Sequence, residues 1–135
     1  MTEKDSLRPE LRVAIEAAQN KKAVNVTLLD LSGLGAFTSY FLLCSGFSTR
    51  QVTSISEEVE EQLEKLGLRL AHREGRGDAE WVLLDYGNFI VHVFTERARL
   101  YYDLERLWRS ARRTVFPDAE PDSLPTSLDQ GAAEA

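Results

Sequence analysis

The segment Trp81–Phe94 restricts the fold more than any other, because it is the densest apolar stretch and a turn divides it into two halves. Apolar residues lead into Asp85-Tyr-Gly-Asn88, where glycine and asparagine tolerate the positive φ of a tight turn, and further apolar residues follow. The pattern predicts a β-hairpin. Because both halves are apolar at successive positions, we expect the hairpin to lie in a sheet with helices on both faces.

The chain is long enough for one domain with its own core. It has 135 residues, and no apolar run approaches the roughly 20 residues that span a bilayer. We expect a flexible N-terminus over residues 1–8, a single domain over 9–116 and a disordered acidic C-terminal tail over 117–135. The N-terminus does not resemble a signal peptide, so we predict a cytoplasmic protein without a membrane segment. Cys44 is the single cysteine, and we expect it to be buried.

Apolar spacing predicts the other elements, either alternating for strands or three to four residues apart for helices. Ser48 suits the N-cap of a long helix, and Gly67 suits its end. A helix between strands implies a crossover, whereas the hairpin implies an antiparallel pair, so we predict a mixed sheet of the α/β class. The predicted order is a helix over 9–20, a near-edge strand over 23–30, a strand over 40–45, a helix over 49–66, a strand over 68–74, the hairpin, and a helix over 95–113.

The charge of the chain argues against binding to nucleic acid. The formal net charge is −6 and the isoelectric point is near 5.0, whereas a protein that neutralises phosphates needs a basic face. Arginines do cluster between Arg97 and Arg113. A local basic strip on one helix therefore remains an alternative. We predict no direct nucleic-acid binding.

Residues suited to catalysis are few and scattered. His92 lies in an apolar strand, where a structural histidine is more common than a catalytic base, and His72 is expected at the surface. The strongest enzyme alternative is nucleotidyl transfer, with a phosphate at Ser48 and a metal held by Asp78 and Glu80. A solvated turn explains that acidic pair more simply. We therefore predict no catalytic residue, no metal site and no cofactor, and we expect a protein that is not an enzyme.

Large aromatic side chains concentrate near the hairpin and the final predicted helix. Tryptophan, tyrosine and arginine are the types enriched at protein interfaces, because they bury a large area and keep a polar tip. A protein-binding surface is therefore the better prediction. A homodimeric adaptor, in which the aromatic stripe pairs with itself, remains an alternative. The aromatic residues are Trp81, Tyr86, Phe94, Tyr101, Tyr102 and Trp108.

Several motifs, in one order, resemble the ribosomal silencing factor family, which is also called Iojap-related. The resemblance covers roughly residues 11 to 113. Its most specific part is Trp81-Val-Leu-Leu-Asp85-Tyr-Gly, Val91-His-Val-Phe94 and Tyr102-x-Leu104-Glu105-x-Leu107-Trp108. The upstream matches are Thr38-x-Tyr40-Phe41, Ser45-Gly46-x-Ser48-x-Arg50-Gln51-Val52 and Glu74-Gly75.

This resemblance implies a nucleotidyltransferase-like α/β fold, with a mixed sheet and helices on both faces, that lacks the acidic metal site of a transferase. It also implies binding to the large ribosomal subunit through its fourteenth protein, which sterically blocks subunit joining when nutrients are scarce. An acidic protein suits a basic ribosomal partner. On this basis we predict a contact surface on the exposed side of the hairpin and the adjoining helix, formed by Trp81, Asp85, His92, Phe94, Tyr101, Tyr102, Glu105 and Trp108, together with Tyr40.

Two positions depart from the family pattern. Ser39 stands where the family usually has aspartate before the Tyr-Phe pair, which puts any role of that carboxylate in doubt. Asn88 replaces the aspartate that is common after the turn glycine, and a turn accepts this change readily.

Overall fold

A computed structural model describes residues 7–118 of the chain. The predicted N-terminal segment up to residue 6 and the predicted tail from residue 119 onward lie outside the described residues. The elements are α1 (Pro9–Asn20), β1 (Val24–Asp30), β2 (Tyr40–Gly46), α2 (Thr49–Lys65), β3 (His72–Glu74), β4 (Trp81–Asp85), β5 (Phe89–Thr95), α3 (Glu96–Tyr102), α4 (Leu104–Leu107) and β6 (Arg112–Val115).

The strands form one six-stranded sheet in the order β3-β4-β5-β2-β1-β6. β2 and β5 are parallel, and the other four neighbouring pairs are antiparallel. α2 leaves the end of β2 and carries the chain across the sheet, which is the connection that a parallel pair requires. The predictions of a mixed sheet, an α/β class and a near-edge first strand are confirmed.

The predicted hairpin is confirmed, and its strands β4 and β5 lie between β3 and β2 in the sheet. β4 pairs with β5 so that Trp81 lies opposite Phe94 and Asp85 lies opposite Ile90. Gly87 has a φ of +89° in the turn, and its N–H donates to the Asp85 carboxylate at 2.8 Å. An aspartate that accepts a hydrogen bond two residues later is a typical turn device.

One face of the sheet is covered by α1 and α2. α2 begins where the Ser48 hydroxyl accepts a hydrogen bond from the Gln51 N–H at 3.1 Å, so the predicted N-cap is confirmed. Its apolar side chains fall on one stripe and are fully buried: Val52, Ile55, Val59 and Leu63. Cys44 is buried in the same cluster, as expected, and burial raises the pKa of its thiol to about 12.

The opposite face is covered by α3 and α4 over only part of its width. Leu29, Leu43 and Phe94 are buried there. Burial alternates along β4. Val82 and Leu84 are buried on the first face, while the side chains on the second face are half-buried. Helices do lie on both faces, but the second face stays partly open along the hairpin.

The predicted helix over 95–113 is wrong. The chain leaves the helical path at Asp103, whose φ of +51° lies in the left-handed region, and α4 continues for only four residues. Residues 112–115 then form β6, in which Val115 pairs with Thr27 of β1. The apolar spacing suggested one continuous stripe, whereas the backbone edge of β1 offers this segment a set of strand hydrogen bonds instead.

The predicted strand over 68–74 is also shorter than expected, because regular pairing begins only at His72. Leu68 and Leu70 instead pack, partly buried, against the core under α2. The Ala71 N–H donates to the Asp85 carbonyl at 2.8 Å just before β3 begins. Among the described residues no helix is long and apolar enough to cross a membrane.

Arg99 fastens α3 and α4 to the sheet. Its side chain is 8% exposed. The guanidinium donates to the Asn25 carbonyl at 2.7 Å, to the Ser45 hydroxyl at 3.0 Å and to the Thr27 hydroxyl at 3.1 Å. It also donates two hydrogen bonds, at 2.9 and 3.2 Å, to the carboxylate of Glu105. These bonds engage every donor nitrogen of the group in a buried setting.

We expect Arg99→Met to lower the free energy of unfolding by about 3 kcal/mol, because it removes the donor from the buried Thr27 and Ser45 hydroxyls and leaves the partly buried Glu105 carboxylate with Arg113 alone. Urea denaturation measures the change. The matched control is Arg113→Met, which removes a guanidinium that is 54% exposed and also contacts Glu105; it should cost less than about 1 kcal/mol. Equal losses for the two variants would contradict the role given to Arg99.

Candidate functional site

The predicted contact residues do not form one surface. Tyr101 and Tyr102 are 81% and 50% exposed, whereas His92 and Phe94 are 3% and 0% exposed. The others are half-buried: Tyr40, Trp81, Asp85, Glu105 and Trp108. The structure therefore separates residues that can touch a partner from residues that support them.

Trp81 joins the hairpin to α3. Its ring stacks on Phe94 with a centroid distance of 5.0 Å, and it meets the ring of Tyr102 at 4.5 Å. The indole N–H donates to His92 Nδ1 at 3.1 Å. Three contacts thus fix the orientation of a tryptophan that still has part of its surface in solvent.

His92 supports this arrangement from below. Burial lowers the pKa of its ring to about 3, so the ring is neutral near neutral pH. Since Nδ1 accepts from Trp81, the proton lies on Nε2, which has no hydrogen-bond partner among the described residues. The ring of Phe41 meets the imidazole edge-on at a centroid distance of 4.4 Å.

His92 and Phe94 were predicted as contact residues, and the structure buries both side chains beside Trp81. Their ring centroids lie 5.8 and 5.0 Å from that of Trp81. Tyr40, also predicted as a contact residue, is partly exposed on another part of the molecule. It packs against the core cluster under α1 and α2, on the face of the sheet opposite to α3.

Glu105 and Trp108 are held by contacts within the molecule. Glu105 accepts hydrogen bonds from Arg99 and Arg113, and the bonds from Arg99 hold the pKa of its carboxyl below the usual range. Trp108 packs edge-on against Phe41 at 6.0 Å, within the second-face core. Asp85 holds the hairpin turn. These half-buried residues shape the surface and expose only part of themselves.

The exposed part of the site is an aliphatic and aromatic patch on α3 and α4. We define this α3–α4 patch as Leu100, Tyr101, Tyr102 and Leu107, which are 81%, 81%, 50% and 71% exposed. Arg106 and Arg109 line the shallow depression that these side chains border.

Sequence reasoning missed Leu100 and Leu107 as surface residues. Their spacing placed them on the same stripe as Leu104 and Trp108. The left-handed residue Asp103 changes the direction of the chain between α3 and α4, so Leu104 and Trp108 pack inward while Leu100 and Leu107 remain in solvent. No local signal in the sequence marks this break.

The acidic residues of the transferase alternative are not arranged around a common point. Asp78 is exposed in the loop before β4. The carboxylate of Glu80 accepts hydrogen bonds from Arg97 and from the Thr95 hydroxyl, and these bonds lower its pKa. Within residues 7–118, no group of three or more histidine, cysteine, aspartate and glutamate side chains is placed to hold a metal ion. The Ser48 hydroxyl is engaged in capping α2.

The two positions that depart from the family pattern meet at the hairpin turn. The Ser39 N–H donates to the Asn88 carbonyl at 3.1 Å, and the Thr38 hydroxyl donates to the Gly87 carbonyl at 2.8 Å. The contact between the two departing positions uses backbone atoms. This backbone hydrogen bond requires no particular side chain at either position.

His92 predicts a pH dependence of stability. The folded ring takes up a proton only near pH 3, whereas the unfolded ring does so below about pH 6.5, so acid favours unfolding throughout that window. Lowering the pH from about 7 to about 5 should reduce the free energy of unfolding by about 2 kcal/mol. His92→Gln should remove most of this loss, as measured by urea denaturation at both pH values.

The matched control is His72→Gln, because the side chain of His72 is 58% exposed. This variant should retain the wild-type pH dependence. The assignment fails if His92→Gln retains the same pH dependence as the wild type.

Comparison with known proteins agrees with the fold and the motifs. The family described as ribosomal silencing factor during starvation matches residues 4–135. The ribosomal silencing factor RsfS of Bacillus subtilis is 40% identical over 101 residues, which are 75% of this chain and 86% of that protein. The chloroplastic protein Iojap of Zea mays is 29% identical over 102 residues, which are 76% of this chain and 44% of that protein.

Solved structures give the same result. A crystal structure of a Chromobacterium violaceum protein has a TM-score of 0.72 at 31% identity and covers 85% of this chain and 96% of its own. A second, from Bacillus halodurans, has a TM-score of 0.66 at 39% identity and covers 73% of this chain and 91% of its own. Sequence motifs, fold and these matches agree, and the chain belongs to the ribosomal silencing factor family.

Proposed function

We propose that this protein represses translation by binding the large ribosomal subunit through its fourteenth protein and occluding the face where the small subunit docks. The observation that carries the proposal is the exposed α3–α4 patch in a member of this family. Leu100 and Tyr101 are each 81% exposed, and Leu107 is 71% exposed. A partner that covers them would remove a substantial apolar area from water.

The patch has the composition of a binding hot spot. Tyr101 and Tyr102 are neighbours with ring centroids 5.1 Å apart, and Tyr102 rests on Trp81, which the hairpin holds in place. Aromatic residues that are already ordered lose little conformational entropy on binding. Such residues are therefore suited to carry most of the binding free energy.

Charge divides the surface into two ends. The hairpin end beside Trp81 carries Glu74 and Glu80, whereas Arg106 and Arg109 lie at the α4 end. We assign the acidic end to the basic ribosomal protein, because complementary charge steers the encounter and fixes its orientation. The overall charge of −6 favours the same approach.

This mechanism requires occupancy alone and no chemical step. We therefore place the protein among regulators that act without catalysis, and in the cytoplasm, where bacterial subunits join. The engagement of Glu80 by Arg97 and Thr95 supports this choice over nucleotidyl transfer, since that carboxylate already has partners within the chain.

Self-association through the same patch is compatible with this function. Leu100 and Leu107 are exposed to a degree that favours pairing with a second copy. Trp108 is a poor place to test this, since it packs in the second-face core. Light scattering measures the molar mass of the wild type and of Leu100→Asp. If the wild type forms a dimer through the patch, Leu100→Asp should be a monomer.

We expect the protein to co-sediment with purified large subunits at micromolar concentration and to reduce subunit joining in sucrose gradients. Tyr101→Ala should weaken binding by about tenfold or more, as expected for an exposed aromatic hot spot. Leu66→Ala is the control, because Leu66 is an exposed apolar residue at the end of α2, on the other side of the sheet.

Binding of the isolated fourteenth ribosomal protein, measured by pull-down, tests the identity of the partner. A wild-type protein that fails to co-sediment at micromolar concentration would contradict the proposal. Equal effects of Tyr101→Ala and Leu66→Ala would show that the α3–α4 patch is not the contact.

A further inference from the structure

A recess lies beside the α3–α4 patch, between β3, β4 and α3. Its volume is about 490 Å³. We call it the aromatic–acidic recess, and it is lined by Glu74, Gly75, Glu80, Trp81, Leu83 and Tyr102. Its position at the hairpin end places it within the surface assigned above to the ribosomal protein.

Aromatic rings and one leucine form its walls. The rings of Trp81 and Tyr102 lie 4.5 Å apart at an angle of 47°. The polar atom of Trp81 is already engaged, because the indole N–H donates to His92. The surface that Trp81 offers to the recess is therefore the ring itself, and Leu83 adds an aliphatic contact.

Gly75, just after β3, forms another part of the lining. Gly75 has a φ of +89°, and a Cβ there would lie 2.4 Å from the Trp81 carbonyl oxygen. Only glycine allows the chain after β3 to approach β4 this closely. Close contact between the chain after β3 and the backbone of β4 therefore shapes this part of the recess.

Carboxylates form its rim. Glu80 accepts hydrogen bonds from Arg97 and Thr95, while Glu74 contacts His72. Arg97 balances one of the two carboxylates, so the rim retains the charge of the other. The recess therefore combines an aromatic wall, an aliphatic contact and an anionic edge.

We propose that the aromatic–acidic recess receives a lysine or arginine side chain of the partner protein. The cation would lie against the rings of Trp81 and Tyr102 and near the carboxylates, while its methylene stem packs on Leu83. The carboxylates repel an anionic side chain, and an apolar side chain would remove water from them without compensation. The inference rests on the proposed function only in naming the basic ribosomal protein as the source of that side chain.

Nuclear magnetic resonance of the full chain labelled with nitrogen-15 tests the recess without a ribosome. The probes are blocked tripeptides of sequence Leu-Arg-Leu, Leu-norleucine-Leu and Leu-Glu-Leu. The Leu-Arg-Leu peptide should shift the Trp81 indole resonance saturably, whereas the glutamate peptide at equal concentration should not. Tyr102→Ala and Glu74→Gln should each weaken binding of the arginine peptide by about threefold.

Glu61→Gln is the matched control for charge, because Glu61 is an exposed glutamate on α2, on the other face of the sheet. It should leave binding of the arginine peptide unchanged. The proposal is overturned if the arginine peptide causes no shift, if norleucine binds as tightly, or if Tyr102→Ala and Glu74→Gln bind like the wild type.

The subunit assay separates this inference from the proposed function. If the wild type co-sediments but Tyr102→Ala and Glu74→Gln bind subunits as tightly, the ribosomal contact stands and the recess is not part of it. If the arginine peptide binds as expected but the wild type does not co-sediment, the recess stands and the ribosome is not its source of cations.

Discussion

One buried guanidinium group determines where the two helices after β5 lie. Arg99 binds the backbone of β1, hydroxyl groups on β1 and β2, and the carboxylate of Glu105 in the following helix. The direction of α3 and the position of α4 both follow from this set of bonds. Because a buried charge without partners is costly, alternatives in which α3 still buries Arg99 on the sheet but lies at another angle are strongly disfavoured.

The exposed α3–α4 patch depends on that constraint. With α3 held at this angle, Tyr102 reaches Trp81 while Tyr101 and Leu100 point into solvent. Phe94 and His92 form a second layer behind Trp81. Phe94 stacks on the Trp81 ring, and His92 accepts a hydrogen bond from its indole N–H. The family motifs contain residues of both layers. A residue in such a motif can therefore contribute to binding without touching the partner.

The elements that the sequence predicts well are those whose causes are local. The hairpin follows from Asp85 and Gly87 in its turn, and α2 follows from the Ser48 cap and one apolar stripe. The segment after Thr95 has distant causes, since Arg99 finds its acceptors 54 to 74 residues earlier in the chain. The spacing of apolar residues cannot predict those distant hydrogen-bond acceptors. The aromatic residue types of the site could thus be predicted, whereas the division into exposed and supporting residues could not.

The pairing of β6 with β1 has a consequence for the growing chain. One edge of β1 pairs with β2, which follows it closely in the chain. The other edge pairs with residues 112–115, near the end of the domain. During synthesis from the N-terminus, this edge is exposed while almost all of the sheet is being made. An unpaired strand edge is a template on which other chains can assemble. For this protein, the last strand to emerge covers the seven-residue strand β1 and leaves the shorter β6, of four residues, at that edge of the sheet.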